Sequence, residues 1–178
     1  TPTVDPTARP GGLADYFRGK VATRDMREAF GQLDPIPASS RDRDARLAQM
    51  DDQGLEACFT FPTLGVGMES ALEPDPEAML AAFAGFNQWL LEDWGFAHAE
   101  RIFTAGYLTL ADVGWALDQL DMMIDNDVRV VNIRPSSVPD GSGGRRSLGH
   151  PDQEPVCQKL NDAGITVAMH AGDSGYDF

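Results

Sequence analysis

One pattern recurs three times in this sequence and constrains its fold more than any other feature. A stretch of helical character runs into a short polar junction, and an apolar run of strand length begins at once. The junctions are Asp52-Gln53-Gly54-Leu55, Asp125-Asn126-Asp127-Val128 and Asp162-Ala163-Gly164-Ile165. Good helix formers occupy residues 41–53, with Leu47 and Met50 on one face, and Gly54 can turn left-handed to stop the helix. Across residues 112–126, Val113, Ala116, Leu117, Leu120 and Ile124 form a helical stripe. Thr109, three residues before Asp112, suggests a capping box there. Val156 and Leu160 share a face across residues 151–161. The apolar runs that follow are 55–61, 128–133 and 165–170, the first two stopped by Pro62 and Pro135.

A fourth unit lies between the first two. Residues 76–94 carry Met79, Phe83, Phe86, Leu90 and Trp94 along one side of a longer helix, and residues 102–107 read as its strand. Four strands, near 55, 102, 128 and 165, therefore alternate with helices. Connections this long predict parallel rather than hairpin pairing. Nearly continuous apolar runs predict strands covered on both faces. The expected class is α/β. Residues 1–40, with prolines at 2, 6, 10, 35 and 37, read as an irregular arm with brief helical turns at 12–17 and 26–30. Residues 41–178 read as the domain.

Charge narrows the partners. The chain has 178 residues and a formal net charge of −14, so phosphate backbones and anionic membrane surfaces repel it. No apolar run approaches the ~20 residues of a membrane helix. The first residues lack the basic, apolar, small-residue order of a signal peptide, so a cytoplasmic location is expected. Cys58 and Cys157 are too few for a disulfide framework or a cysteine-rich zinc site, and both are expected to be inert, buried thiols.

Two α/β architectures compete for this pattern. A nucleotide-binding open sheet calls for a Gly-rich phosphate turn, and neither G-x-G-x-x-G nor G-x-x-x-x-G-K-[ST] occurs. The Gly-dense run from Gly141 to Arg146 is expected to be a mobile surface loop, with an anion cradle as the lesser reading. A (β/α)8 barrel places its chemistry on the loops after strand C-termini. Those loops here begin at Pro62, Leu108, Arg134 and His170. His170 ends an apolar strand and is followed by small and acidic residues, which suits a metal ligand or general base. A hydrogen-bonded structural histidine is the competing reading.

Three passages resemble the amidohydrolase superfamily, specifically its amidohydrolase-2 branch with aminocarboxymuconate-semialdehyde decarboxylase and related decarboxylases. Residues 41–54 are similar to the helix before that family's second barrel strand. Asn87 to Glu92 followed by Arg101-Ile102-Phe103-Thr104-Ala105-Gly106 is similar to its helix-to-third-strand passage. Leu148-Gly149-His150-Pro151-Asp152, a helix, and Ala163 to His170 are similar to its approach to the fifth strand. The resemblance implies a (β/α)8 TIM barrel of which this chain supplies about strands 2 to 5, the arm being the loop after strand 1. It implies that His170 binds a divalent metal, usually zinc, that activates water for hydrolysis or assists decarboxylation of a small carboxylated or amide-containing substrate. The family's His-x-His pair and its late-strand aspartate and histidine have no counterpart here. One histidine cannot hold a catalytic zinc, so the chain alone is expected to be inactive, with the remainder of the barrel outside this sequence. Four βα units are about half of a barrel of ~250 residues. A homo-oligomer is also expected.

Arg134, at a strand end, is a candidate substrate-binding residue for a carboxylate, against a salt bridge to an acidic neighbour. Asp173 is the second candidate, to orient a ligand or water, against a loop cap. His98 reads as structural or solvated, and His150 as a helix-entry residue. Asp118, Asp121, Asp125 and Asp127 lack an EF-hand loop and read as a solvated helix end. The alternative to an enzyme is a non-catalytic α/β binding or assembly module without metal.

Overall fold

The computed structural model of the chain describes residues 15–16, 18–30, 35–61, 68–140 and 142–170. The chain divides into two compact units, Thr1–Arg41 and Asp42–Phe178. In the first unit, helix α1 (Met26–Phe30) starts at Asp25, whose carboxylate accepts from the backbone N–H groups of Arg27 and Glu28 at 2.7 and 3.0 Å. A 3-10 turn follows at Ala38–Ser40.

The second unit holds the repeated motif. Helices α2 (Arg43–Gln53), α3 (Met68–Leu72), α4 (Pro76–Asp93), α5 (Val113–Ile124) and α6 (Glu154–Asp162) alternate with the strands β1 (Cys58–Thr60), β3 (Ile102–Thr104), β4 (Gly106–Tyr107), β5 (Val130–Ile133) and β8 (Thr166–Met169). A short β2 (Ala97–His98) turns back antiparallel onto β3, and β6 (Val138–Pro139) pairs with β7 (Arg145–Arg146) as a hairpin. Neither antiparallel piece is announced by the apolar pattern. Within the Gly-dense run, expected as a loop throughout, Arg145 and Arg146 form a strand instead.

The three junctions share one geometry. Gly54, Asp127 and Gly164 sit in the left-handed region with φ of 68°, 62° and 66°. The next residue donates back across the turn each time: Leu55 to Met50 at 2.9 Å, Val128 to Met123 at 3.0 Å and Ile165 to Leu160 at 3.0 Å. The left-handed residues themselves donate to Asp51, Ile124 and Asn161. This paired pattern satisfies carbonyls that the ending helix leaves open and reverses the chain into the strand. At their other ends, α2, α4 and α5 are capped by Asp42, Asp75 and Asp112, whose carboxylates accept from Ala45, Ala78 and Trp115. Asp112 is thus itself the cap of α5. Thr109 is not part of a capping box: its hydroxyl donates to buried Glu69 at 2.6 Å.

Residues 102–107 form one extended run. Its first half pairs parallel with β1 (Cys58↔Ile102), and its second half pairs parallel with β5 (Gly106↔Val131). Strand β5 pairs parallel with β8 in the register Ile133↔Met169. The parallel strands therefore lie side by side in chain order. Ile102, Val131 and Ile133 pack with Met50, Leu90, Leu120, Met123, Val156 and Leu160 from the helices, with Cys58 and Val167 against this core. Alternation sends Phe59, Phe103, Asn132 and Arg134 to the other face. The Phe59 and Phe103 rings lie 5.7 Å apart there.

Strand β1 is shorter than the apolar run 55–61, and Arg101 explains the difference. Its guanidinium donates to the carbonyls of Leu55 at 2.7 Å and Glu56 at 2.8 Å and pairs with Asp51 at 2.7 Å. Those carbonyls are satisfied by a side chain, not by a ladder.

Asn87, fully buried on α4, fills a second gap. Tyr107 faces the side of the sheet where the β1 ladder has ended at Thr60, whose carbonyl accepts from Ala105. Asn87 Oδ1 accepts from Tyr107 N–H at 2.8 Å, and Asn87 Nδ2 donates to Tyr107 C=O at 2.9 Å. One amide side chain thereby takes the place of a strand residue. Nδ2 also reaches Gln119 Oε1 at 3.0 Å.

Candidate active site at the carboxyl ends of the parallel strands

The strand ends bring β1 and β8 together although two strand positions separate them. On a flat sheet, strands three places apart stand about 14 Å from one another at the usual spacing. The Phe61 ring, one residue past β1, and the His170 ring, one residue past β8, have centroids 5.8 Å apart at 59°. The sheet is therefore strongly curled, with both rings on its concave side. His170 is exposed at this rim.

Arg134 follows β5 as His170 follows β8, so the register Ile133↔Met169 places the two side by side on neighbouring strands. The Arg134 side chain is only 1% exposed and its Nη1 lies 3.5 Å from Glu73 Oε2. Glu73 is 17% exposed and is also gripped by Arg145 of the β6–β7 hairpin. Arg145 is fixed in turn by Ser137, donating to its hydroxyl at 3.0 Å and its carbonyl at 2.5 Å. Two guanidinium groups from separate elements thus converge on one carboxylate. Beside it opens a cleft of about 390 Å³, whose walls include Glu73, Met79, Leu80, Val113, Pro139 and Arg146.

The hairpin has its own lock. Asp140 Oδ1 accepts from Ser142 N–H and Oγ–H, both at 2.8 Å, and from Gly144 N–H at 2.9 Å. The backbone donor of Ser142 is the main reason that the Asp140 carboxyl is held below its ordinary value. Arg146 donates to the Ala111 carbonyl at 2.6 Å and pairs with Asp152 at 3.3 Å. Both arginines of the Gly-rich run are therefore committed to protein partners and do not form an open phosphate cradle.

Of the residues singled out in the sequence, Arg134 and His170 come together, and Asp173 lies outside the described residues. His98 Nε2 is 3.1 Å from Asp44, away from this rim at the start of the β2–β3 hairpin. His150 caps the 3-10 turn Pro151–Gln153, its Nδ1 accepting from Asp152 N–H at 3.3 Å. Cys58 packs half-buried with its Sγ 3.6 Å from Met50 Sδ, whereas Cys157 is exposed on α6, contrary to the expectation of two buried thiols. It lies one residue past the buried Val156, on the outer side of an amphipathic helix. Among the described residues, no group of three or more His, Cys, Asp or Glu is placed to hold a metal ion. They offer His170 as a single candidate ligand and not a complete metal site.

Glu73 and Asn132 escape sequence reasoning, and Asn87 enters it only as the first residue of a passage that resembles the family. Asn132 is 1% exposed in β5, on the face of Arg134, and its Oδ1 is buried without a hydrogen-bond partner among the described residues. In the sequence it is a polar interruption of an apolar run, which was its one visible signal. Glu73 carries none, because its partners lie 61 and 72 residues further along the chain.

An α/β unit with a curled parallel sheet and polar groups at the strand ends defines the class. The chain is similar to the crystal structure of an amidohydrolase from Mycobacterium avium subsp. paratuberculosis K-10, with 37% sequence identity and a TM-score of 0.77. The match covers 91% of this chain and 42% of the amidohydrolase, so the chain spans less than half of that protein's length. The likeness supports the amidohydrolase superfamily. No family model and no curated protein matches the chain. Among the described residues no helix is long and apolar enough to cross a membrane.

Proposed function

We propose that the chain supplies strands two to five of a (β/α)8 barrel in a metal-dependent hydrolase of the amidohydrolase-2 type. The likeness to an amidohydrolase at 37% identity over 91% of the chain carries this reading. The curl that brings Phe61 to His170 supports it, because a barrel needs that curvature and a flat open sheet does not. In this reading His170 is one ligand of a divalent metal, zinc by preference, and the other ligands lie outside the described residues. A bound metal of this kind supplies a water activated at neutral pH.

The chain's own residues set the surroundings. The exposed His170 imidazole is presented at the rim, its ring braced by Phe61. Arg134 holds a fixed positive charge on the neighbouring strand, suited to a substrate carboxylate or to charge developing on oxygen. Asp173, three residues beyond His170 in the sequence, orients substrate or water. Decarboxylation of a carboxylated substrate uses the same arginine and belongs to the same reading.

Metal content tests it. Mass-spectrometric analysis of the protein purified with its complete barrel should find zinc or another divalent metal in near-stoichiometric amount, and His170→Ala in that protein should lose it. Metal-free wild-type protein, or an unchanged content in the variant, overturns the assignment.

A further inference from the structure

We propose that the outward face of α4, built around Gly85 and Trp89, is the surface through which two copies of the protein pair. The inference goes beyond the reading above and does not depend on the metal.

Helix α4 spans Pro76–Asp93, and its residues 78–91 include no Asp, Glu, Lys or Arg. Met79, Phe83, Asn87 and Leu90 are buried on its inner side. The helical period therefore turns Ala81, Gly85, Gln88 and Trp89 outward, and all four are exposed. A surface helix ordinarily turns charge to water, and the other long helices do so. α2 exposes Asp44 and Asp51, α5 exposes Asp118 and Asp121, and α6 exposes Glu154 and Asp162. Trp89 is 44% exposed, and among the described residues it is the one exposed large hydrophobic side chain carried by a helix. Its ring lies 5.4 Å from that of Phe86, which packs against the core, so the indole is braced in place. Tryptophan is among the residues most enriched as anchors of protein interfaces.

Two observations select a second copy as the partner. The chain carries a formal net charge of −14, so two copies repel across their charged faces and approach best where charge is absent. A basic partner would instead be drawn to the carboxylates of α2, α5 and α6. The face also holds both halves of a self-fitting contact. At Gly85 a Cβ would meet nothing within 4 Å, which leaves an open notch one helical turn from the Trp89 knob. A two-fold axis at the level of Asn87, between them, lays the two helices antiparallel and seats each Trp89 over the other copy's Gly85. Knob and notch on one patch are what an isologous contact requires. Along the helix direction the same axis keeps the two Glu92 carboxylates about 15 Å apart, beyond the Debye length at physiological salt. Glu92 already accepts from Gln88 at 2.7 Å. One helix face is a small contact, so the dimer should dissociate in the micromolar range.

Sedimentation velocity of the protein with its complete barrel, at about 1 to 100 µM, tests the pairing. Wild type should pass from monomer to dimer across that range. Trp89→Glu and Gly85→Glu should each weaken the dimer about tenfold or more. Gln158→Glu adds the same charge to the exposed side of α6 and should leave it unchanged. Gly85→Glu puts a better helix former where a side chain meets open space, so its fold should be intact by circular dichroism. That variant decides if Trp89→Glu does not fold. Metal content plays no part in the readout, so failure here and failure of the metal assignment are distinct. Wild type still monomeric at the highest concentration, a dimer indifferent to Gly85→Glu or to a folded Trp89→Glu, or one weakened equally by Gln158→Glu overturns the proposal.

Discussion

Asn87 is the most exacting test of the fold, because one side chain takes both backbone hydrogen bonds of Tyr107 that a neighbouring strand would otherwise take. Replacing it with alanine leaves the buried N–H and C=O of Tyr107 without the partners that Asn87 supplies and removes the donor to Gln119. Tyr107 and Asn87 are both essentially inaccessible to water. An orphaned buried polar group costs about 1–3 kcal/mol, so the two backbone groups together cost about 2–6 kcal/mol. Water entering the small void offsets part of this, and the expected loss is about 3 kcal/mol. With a urea m-value of about 2 kcal/mol per molar, the midpoint should fall by about 1.5 M. Asn87→Asp separates the two bonds. It keeps an acceptor for the Tyr107 N–H but turns a carboxylate oxygen toward two acceptors, Tyr107 C=O and Gln119 Oε1. Protonation lets that oxygen donate, so the folded state raises the pKa of the introduced carboxyl above its unfolded value. A raised acid binds its proton more tightly in the native state, so the variant's stability falls as pH rises between the two values. Urea unfolding followed by circular dichroism at pH 4.5 and 7.5 measures both effects. A midpoint shift below about 0.5 M for Asn87→Ala, or an Asn87→Asp variant indifferent to pH relative to wild type, refutes the strand-substitute argument.

The remaining predictions concern turns. Asp127 holds φ of 62° where the two sister junctions use glycine, so Asp127→Gly should raise stability by about 0.5–1 kcal/mol, read as an increase in Tm. Ala99 and Glu100 both have positive φ, at 53° and 52°, in the turn closed by Arg101 N–H to His98 C=O at 3.0 Å. Ala99→Asn with Glu100→Gly supplies the residues that such a turn prefers and should stabilise by about 1 kcal/mol, with calorimetric unfolding as the measurement. The lowered Asp140 carboxyl stabilises the hairpin at pH above its ordinary value of 3.8, and that contribution disappears as pH falls through the lower folded value. Protection of the Ser142 and Gly144 amides, taken as the exchange rate relative to an unstructured peptide at the same pH, should therefore fall below that value in the wild type and be absent throughout in Asp140→Ala.

The helix–turn–strand units were legible because each is encoded locally. Met50, Gly54 and Leu55 decide one junction within six residues of chain, and the same spacing serves Met123 to Val128 and Leu160 to Ile165. Apolar periodicity then assigns helix faces, and the length of the connections makes the strands parallel. The β2–β3 turn was hidden because Ala99 and Glu100 are poor sequence markers for left-handed backbone. The Gly-rich segment reads as a loop for the opposite reason, since glycine and serine mark a turn without showing that Arg145 and Arg146 flanking it pair as a strand.

For the strand-end site, sequence placed Arg134 and His170 on neighbouring strand termini and could go no further. That Arg134 is buried and Glu73 lies between it and Arg145 depends on contacts spanning 61 and 72 residues. That Phe61 meets His170 depends on how far the sheet curls, a sum of small twists between strands that no single residue records. Local periodicity and turn chemistry fixed the four units and their order. Only tertiary packing decided which charges met and how the sheet bent to gather its strand ends, because those outcomes belong to pairs of residues far apart in the chain.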